Sequence, residues 1–74
     1  MREPLTEVQA NLLKNIENFI NENGYSPTVR ELCKMTKKSS SGTIKATLDL
    51  LQVKGYITFI PKQARTIRIV NEKN

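Results

Sequence analysis

Histidine and tryptophan are absent from this sequence, cysteine occurs once, and glycine and proline occur three times each. The missing histidine removes the commonest general base and the commonest zinc ligand. With a lone Cys33 and scattered carboxylates, no metal site is expected. A single cysteine builds no disulfide framework within a chain. Cys33 reads as a small filler on the inner side of a helix, with a redox sensor or an intermolecular disulfide as the alternative. No segment approaches the roughly 18 apolar residues of a membrane span. Met1-Arg2-Glu3-Pro4 lacks the apolar run of a signal peptide, so a cytoplasmic protein without a membrane partner is the expectation. Nothing calls for a cofactor or a small-molecule ligand.

What is there is a short, charged, patterned chain. Seventy-four residues allow one domain, residues 1–74, and 38% apolar content suffices for one small core. Charge is uneven. Residues 1–25 carry Arg2 and Lys14 against Glu3, Glu7, Glu17 and Glu22, a net of −2. Residues 26–74 carry ten basic side chains against Glu31, Asp49 and Glu72, a net of +7. A basic two-thirds behind an acidic first segment points to a polyanionic partner, although a solvated basic surface has the same composition.

The apolar periodicity predicts three helices and a hairpin. Helix 1, residues 6–23, starts at a Thr6/Gln9 capping box and carries Val8, Leu12, Leu13, Ile16, Phe19 and Ile20 at helical spacing. Asn23-Gly24 ends it. Pro27 disfavours helix at Ser26. Thr28 and Glu31 form a second capping box for helix 2, residues 28–36, whose inner face is Val29, Leu32, Cys33 and Thr36. A polar turn, Lys37 to Ser39, leads to Ser40 as the cap of helix 3, residues 41–54. Ile44, Leu48 and Leu51 form its inner stripe, while Gly42, Lys45, Ala46 and Asp49 point the other way. Gly55 is its C′ residue. Two β-rich segments, Tyr56–Ile60 and Thr66–Val70, flank a five-residue connection, Pro61 to Arg65, so that residues 56–70 form a hairpin. Asn71 to Asn74 read as a frayed tail.

Helix, helix, turn, helix, hairpin is the order of an α+β, mainly α, winged helix-turn-helix with a two-stranded β-hairpin wing. The exposed start of helix 3 carries Ser40, Ser41, Gly42, Thr43, Lys45 and Ala46. Small side chains let a helix enter a major groove about 12 Å wide, hydroxyls bond base edges or phosphates, and Lys45 reaches guanine acceptors. The free amides of the helix start suit a phosphate. Lys62, Gln63 and Arg65 at the hairpin tip suit the DNA backbone or the minor groove, and Lys54, Lys37 and Lys38 suit phosphates. These residues mark double-stranded DNA as the partner. The blander readings are a helix cap at Ser40, a solvated Thr43 and Lys45, and an ordinary polar hairpin turn.

At these residues the chain resembles the N-terminal DNA-binding domain of LexA-type repressors. The resemblance runs from Leu5 to Val70, and is carried most specifically by Ser26-Pro27-Thr28-Val29-Arg30-Glu31-Leu32 and by Lys54-Gly55 before the wing. It implies a repressor that reads a palindromic operator as a homodimer, with base contacts at Ser40, Gly42, Thr43, Lys45 and Ala46. The sequence departs from the family in the turn, where Lys37-Lys38 replace a glycine and an apolar residue, and in the reading residues Gly42, Lys45 and Ala46. Family members also carry a C-terminal self-cleaving peptidase domain that dimerises them, and these residues contain no counterpart of it. An isolated domain and a stand-alone regulator both fit, Met1 and the missing linker favouring the second.

Two rival readings belong to other classes. A protein-interaction winged helix that modulates another regulator without binding DNA would use Phe59 or Ile60, which as strand neighbours point to opposite faces. An enzyme would use Ser41 and Lys45, four residues apart like a Ser–Lys pair, but both sit at a solvent-facing helix start without an oxyanion hole, so no catalysis is expected.

Overall fold

The computed structural model describes residues 4–36 and 40–70. The readings placed on Lys37, Lys38 and Ser39, on Arg2 and Glu3, and on the tail from Asn71 lie outside the described residues. Three helices, α1 (Glu7–Asn23), α2 (Val29–Thr36) and α3 (Ser41–Val53), precede two strands, β1 (Ile57–Thr58) and β2 (Arg68–Ile69). The strands pair antiparallel, Ile57 opposite Ile69 and Thr58 opposite Arg68. This is the three-helix, hairpin-winged arrangement expected from the periodicity.

Local chemistry sets each helix end. Thr6 and Gln9 exchange backbone and side-chain hydrogen bonds, both 3.2 Å, at the start of α1. Thr28 and Glu31 do the same for α2, with the Thr28 amide donating to Glu31 Oε1 at 2.9 Å. These reciprocal bonds satisfy amides that a helix start leaves without partners. Gly24 closes α1 at φ +80°. At the end of α3 the Tyr56 amide donates to Leu51 O and the Gly55 amide to Gln52 O, with Gly55 at φ +87°. This pair of bonds is the Schellman arrangement, and it turns the chain straight into the wing.

One core holds the elements together. It comprises Leu12 and Ile16 of α1, Leu32 of α2, Ile44, Leu48 and Leu51 of α3, and Ile57 and Ile67 of the wing. The inner stripe of α3 is as the 3.6-residue repeat requires. Only Leu32 of the inner α2 positions is fully buried, with Val29 and Cys33 partly buried against the core. Val8 departs from its periodic position and is 57% exposed, because the inward stripe of α1 runs through the buried Gln9 to Leu12 and Ile16.

The strands are shorter than the β-rich segments Tyr56–Ile60 and Thr66–Val70. At the root the Val70 amide still donates to Tyr56 O, but at the tip the next ladder donor, the Ile60 amide, goes to a side chain, while the Phe59 amide faces away from β2 and is taken by α3. The Phe59 amide donates to Gln52 Oε1 at 2.8 Å, and the Ile60 amide to Thr66 Oγ1 at 2.9 Å. Pro61 has no amide to offer. Phe59 therefore packs against the core while Ile60 is 52% exposed.

Candidate nucleic-acid interface

The first turn of α3 is an exposed polar surface over an apolar floor. Ser40 caps it: its Oγ accepts from the Thr43 amide at 3.3 Å and lies 3.2 Å from Thr43 Oγ1. Ser40, Ser41, Gly42, Thr43, Lys45 and Ala46 are all exposed, whereas Ile44 and Thr47 point inward. Thr47 Oγ1 spends its proton on the Thr43 carbonyl at 2.8 Å, so it is tied to its own helix. The amides of Ser41 and Gly42 stand at the exposed helix start, where the dipole favours an anion. A hypothetical Cβ on Gly42 would meet only Ser40 Oγ, at 3.9 Å. Packing therefore does not demand glycine at this position.

The wing stands beside this surface. A cleft between α3 and the wing is lined by Lys45, Leu48 and Asp49 on one side and by Ile60 through Ile67 on the other. Lys45, Lys62 and Gln63 thus share one cleft, and all three are exposed. The wing turn is sharp. The Gln63 amide donates to Ile60 O, Pro61 takes the second turn position, and Lys62 has φ +67° at the third. Type II turns favour glycine or asparagine at that third position, so a lysine there costs backbone energy. Thr66 ties the turn together, donating toward the carbonyls of Ile60 and Gln63 while accepting from the Ile60 amide.

Two of the basic residues expected at DNA are turned into the protein. Lys54 Nζ donates to Pro4 O at 3.0 Å and to Gln9 Oε1 at 2.7 Å, fastening the end of α3 to the start of α1. It also lies at the opposite end of α3 from Ser40, roughly 20 Å along the axis at 1.5 Å per residue. Arg65 folds back from the wing. Its Nη1 donates to Ser26 O and to Glu31 Oε1, both at 3.0 Å, and its Nη2 donates to Glu31 Oε2 at 3.1 Å. The guanidinium also stacks over the Tyr25 ring at 4.6 Å, and Tyr25 in turn meets Phe19 edge-on at 5.7 Å.

Local sequence patterns left several of these roles unread. Gln52, the anchor of the wing backbone, carried no signal beyond being polar. Gln9 and Glu31 were legible as capping partners, but each also holds a distant cation. Tyr25 lay in a connector. Nothing in the sequence around Arg65 pointed to its contact with Glu31.

Glu31 is held below the ordinary glutamate range, first by the Thr28 amide and then by the Arg65 side chain, partial desolvation opposing both. A carboxyl depressed in the folded state stabilises it above the unfolded-state value and loses that contribution as pH falls through the folded value. The stability difference between the natural chain and Glu31→Gln should therefore be present at neutral pH and vanish on acidification below the usual glutamate range. Urea unfolding across that window measures it.

Among the described residues, no three or more histidine, cysteine, aspartate or glutamate side chains gather to hold a metal ion. No helix is long and apolar enough to cross a membrane among those residues.

Comparison with known proteins places this geometry. The LexA repressor of Caldicellulosiruptor saccharolyticus is 40% identical over 72 residues, covering 97% of this chain and 36% of that protein. The LexA repressor of Thermosipho melanesiensis is 41% identical over 69 residues, covering 93% of this chain and 34% of that protein. The protein called transcription regulator LexA in Synechocystis is 32% identical over 71 residues, covering 96% and 35%. The chain thus spans about a third of the length of the curated relatives it matches. Residues 2–66 match the family described as the LexA DNA binding domain, and with three helices, a hairpin wing and an open α3 start in the same stretch, the chain belongs to that family.

Proposed function

We propose that this chain is a sequence-specific, double-stranded DNA-binding regulator of transcription, a repressor in the manner its relatives' names describe. The observation that carries the reading is the exposed start of α3, polar and small along one face, whose Lys45 shares a cleft with Lys62 and Gln63 of the wing turn. In this reading α3 enters the major groove. Ser40, Ser41, Gly42, Thr43 and Ala46 allow close approach and hydroxyl contacts, and Lys45 reads base acceptors. Lys62 and Gln63 grip the backbone or the minor groove. Lys54 and Arg65 serve the interface from behind, by holding α3 and the wing in place. The target is a palindromic operator occupied by two copies, since one domain of this size makes few base contacts. It acts in the cytoplasm, without a cofactor, and does no catalysis.

Two substitutions separate reading from gripping. Lys45→Ala should change which duplex sequences are preferred, at a cost of about 1–3 kcal/mol on the best one. Lys62→Ala should weaken all sequences alike and lower the salt slope by about 1. Fluorescence anisotropy on a panel of duplexes measures both.

The exposure of Ile60, and of Val53 at 81%, favours a second reading, a module that docks on another protein. Salt distinguishes the two. Two cationic contacts, Lys45 and Lys62, imply a fall in affinity of roughly twelvefold per domain between about 50 and 200 mM salt, whereas apolar docking barely responds. A flat salt response, or no duplex binding at all, would replace the DNA reading with the second one.

A further inference from the structure

We infer that the Glu31–Arg65 clasp positions the wing for DNA: it fixes the loop from Pro61 to Arg65 against α2, so that Lys62 and Gln63 meet the duplex together with Lys45. This inference rests on the DNA-binding reading above and adds a device to it.

The wing needs such a device. Its two strands are two residues each, and a short two-stranded hairpin is marginal on its own. Ile57, Ile67 and Phe59 pack the base of the wing on the core, and Thr66 makes the turn internally rigid, but the Thr66 bonds stay within the wing and do not tie the loop from Pro61 to Arg65 to the helices. The Gln52 bond to the Phe59 amide fixes the wing's root. At the tip end, Arg65 ties the wing to the connector and to α2, through a fork on both Glu31 oxygens, a bond to Ser26 O and the face of Tyr25.

The backbone supports the same assignment. Arg65 has φ +59°, a region where an L-residue is strained and glycine is not. An arginine there is explained by what its side chain does. Both terminal nitrogens already hold protein acceptors, so the guanidinium faces α2 and the connector. The same carboxylate caps α2 through the Thr28 amide, so the clasp is anchored to a fixed helix start.

The sign of one mutational effect decides between positioning and simple charge. Glu31→Gln keeps an oxygen for the Thr28 amide but weakens the fork on Arg65. It also removes a negative charge, which by electrostatics alone strengthens DNA binding. Arg65→Lys keeps the positive charge and loses the planar fork. Partly exposed ion pairs add little to folding, so both variants should stay folded, which circular dichroism verifies.

Binding to a mixed-sequence 30-base-pair duplex at about 50 mM salt, by anisotropy, is the readout. Both variants should bind about tenfold more weakly than the natural chain, with the salt slope reduced by about 1, as one phosphate contact is lost. Backbone ¹⁵N relaxation should show residues 62–65 ordered in the natural chain and loosened in both variants. Glu31→Gln binding as tightly as, or more tightly than, the natural chain overturns the inference alone. Arg65→Lys binding at full strength does the same, since it would make Arg65 a point charge. A natural chain that binds no duplex overturns the DNA reading, and the inference falls with it.

Discussion

Gly42→Glu is expected to make the domain more stable and unable to hold DNA. Gly42 is the second residue of α3, exposed, with room for a side chain. Glycine costs a helix about 1 kcal/mol relative to the best formers, and glutamate recovers most of that. An acid in the first turn adds about 0.3–1 kcal/mol by facing the positive end of the dipole, and α3 has no acidic residue there to repel it. The sum, about 1 kcal/mol, should raise the melting temperature by roughly 4–8 °C for a domain of this size. Against DNA the same change puts a carboxylate and its stem where the helix meets the groove and the phosphates. Binding should fall by about a hundredfold or more, from steric block and charge repulsion together. Because the protein is more stable, unfolding cannot account for the loss. Calorimetry and anisotropy on the same preparation test both halves. Retained binding would move the interface to another face.

Leu51→Ala should leave little folded protein at body temperature. Leu51 is fully buried at the centre of the core, and its carbonyl also accepts the Tyr56 amide that launches the wing. Truncating a buried leucine costs about 2–5 kcal/mol, more where surrounding side chains cannot collapse into the space. A domain of this size holds on the order of 5 kcal/mol in total. The loss should consume most of that reserve. Circular dichroism during thermal unfolding should show a much lowered or absent transition. A variant that melts like the natural chain would contradict the single shared core described here.

Contacts within four residues of each other were legible in the sequence, and contacts across the fold were not. The Thr6/Gln9 and Thr28/Glu31 boxes, the Ser40 cap, the glycines at 24 and 55 and the stripe of Ile44, Leu48 and Leu51 all follow from spacing along one helix. The exposed face of α3 follows from that stripe. The wing's short ladder did not, because Thr66 Oγ1 takes the Ile60 amide that β-rich composition assigns to strand pairing. Nor did the inward turn of Lys54 and Arg65. Their partners lie 45 and 34 residues away at Gln9 and Glu31, and no local pattern tells a lysine or arginine waiting for phosphate from one that fastens two elements. Lys45, Lys62 and Arg30 line the cleft between the helices and the wing, while Lys54 and Arg65 fasten elements of the fold to one another.

That α3 reads the sequence of duplex DNA is tested most directly by selecting bound duplexes from a random pool with the natural chain and with Lys45→Ala. The natural chain should enrich one short motif, present as an inverted repeat, and the variant should shift or lose the base opposite Lys45 while keeping its weaker grip on all sequences. Enrichment of no motif by the natural chain, or of the same motif by both proteins, would contradict it.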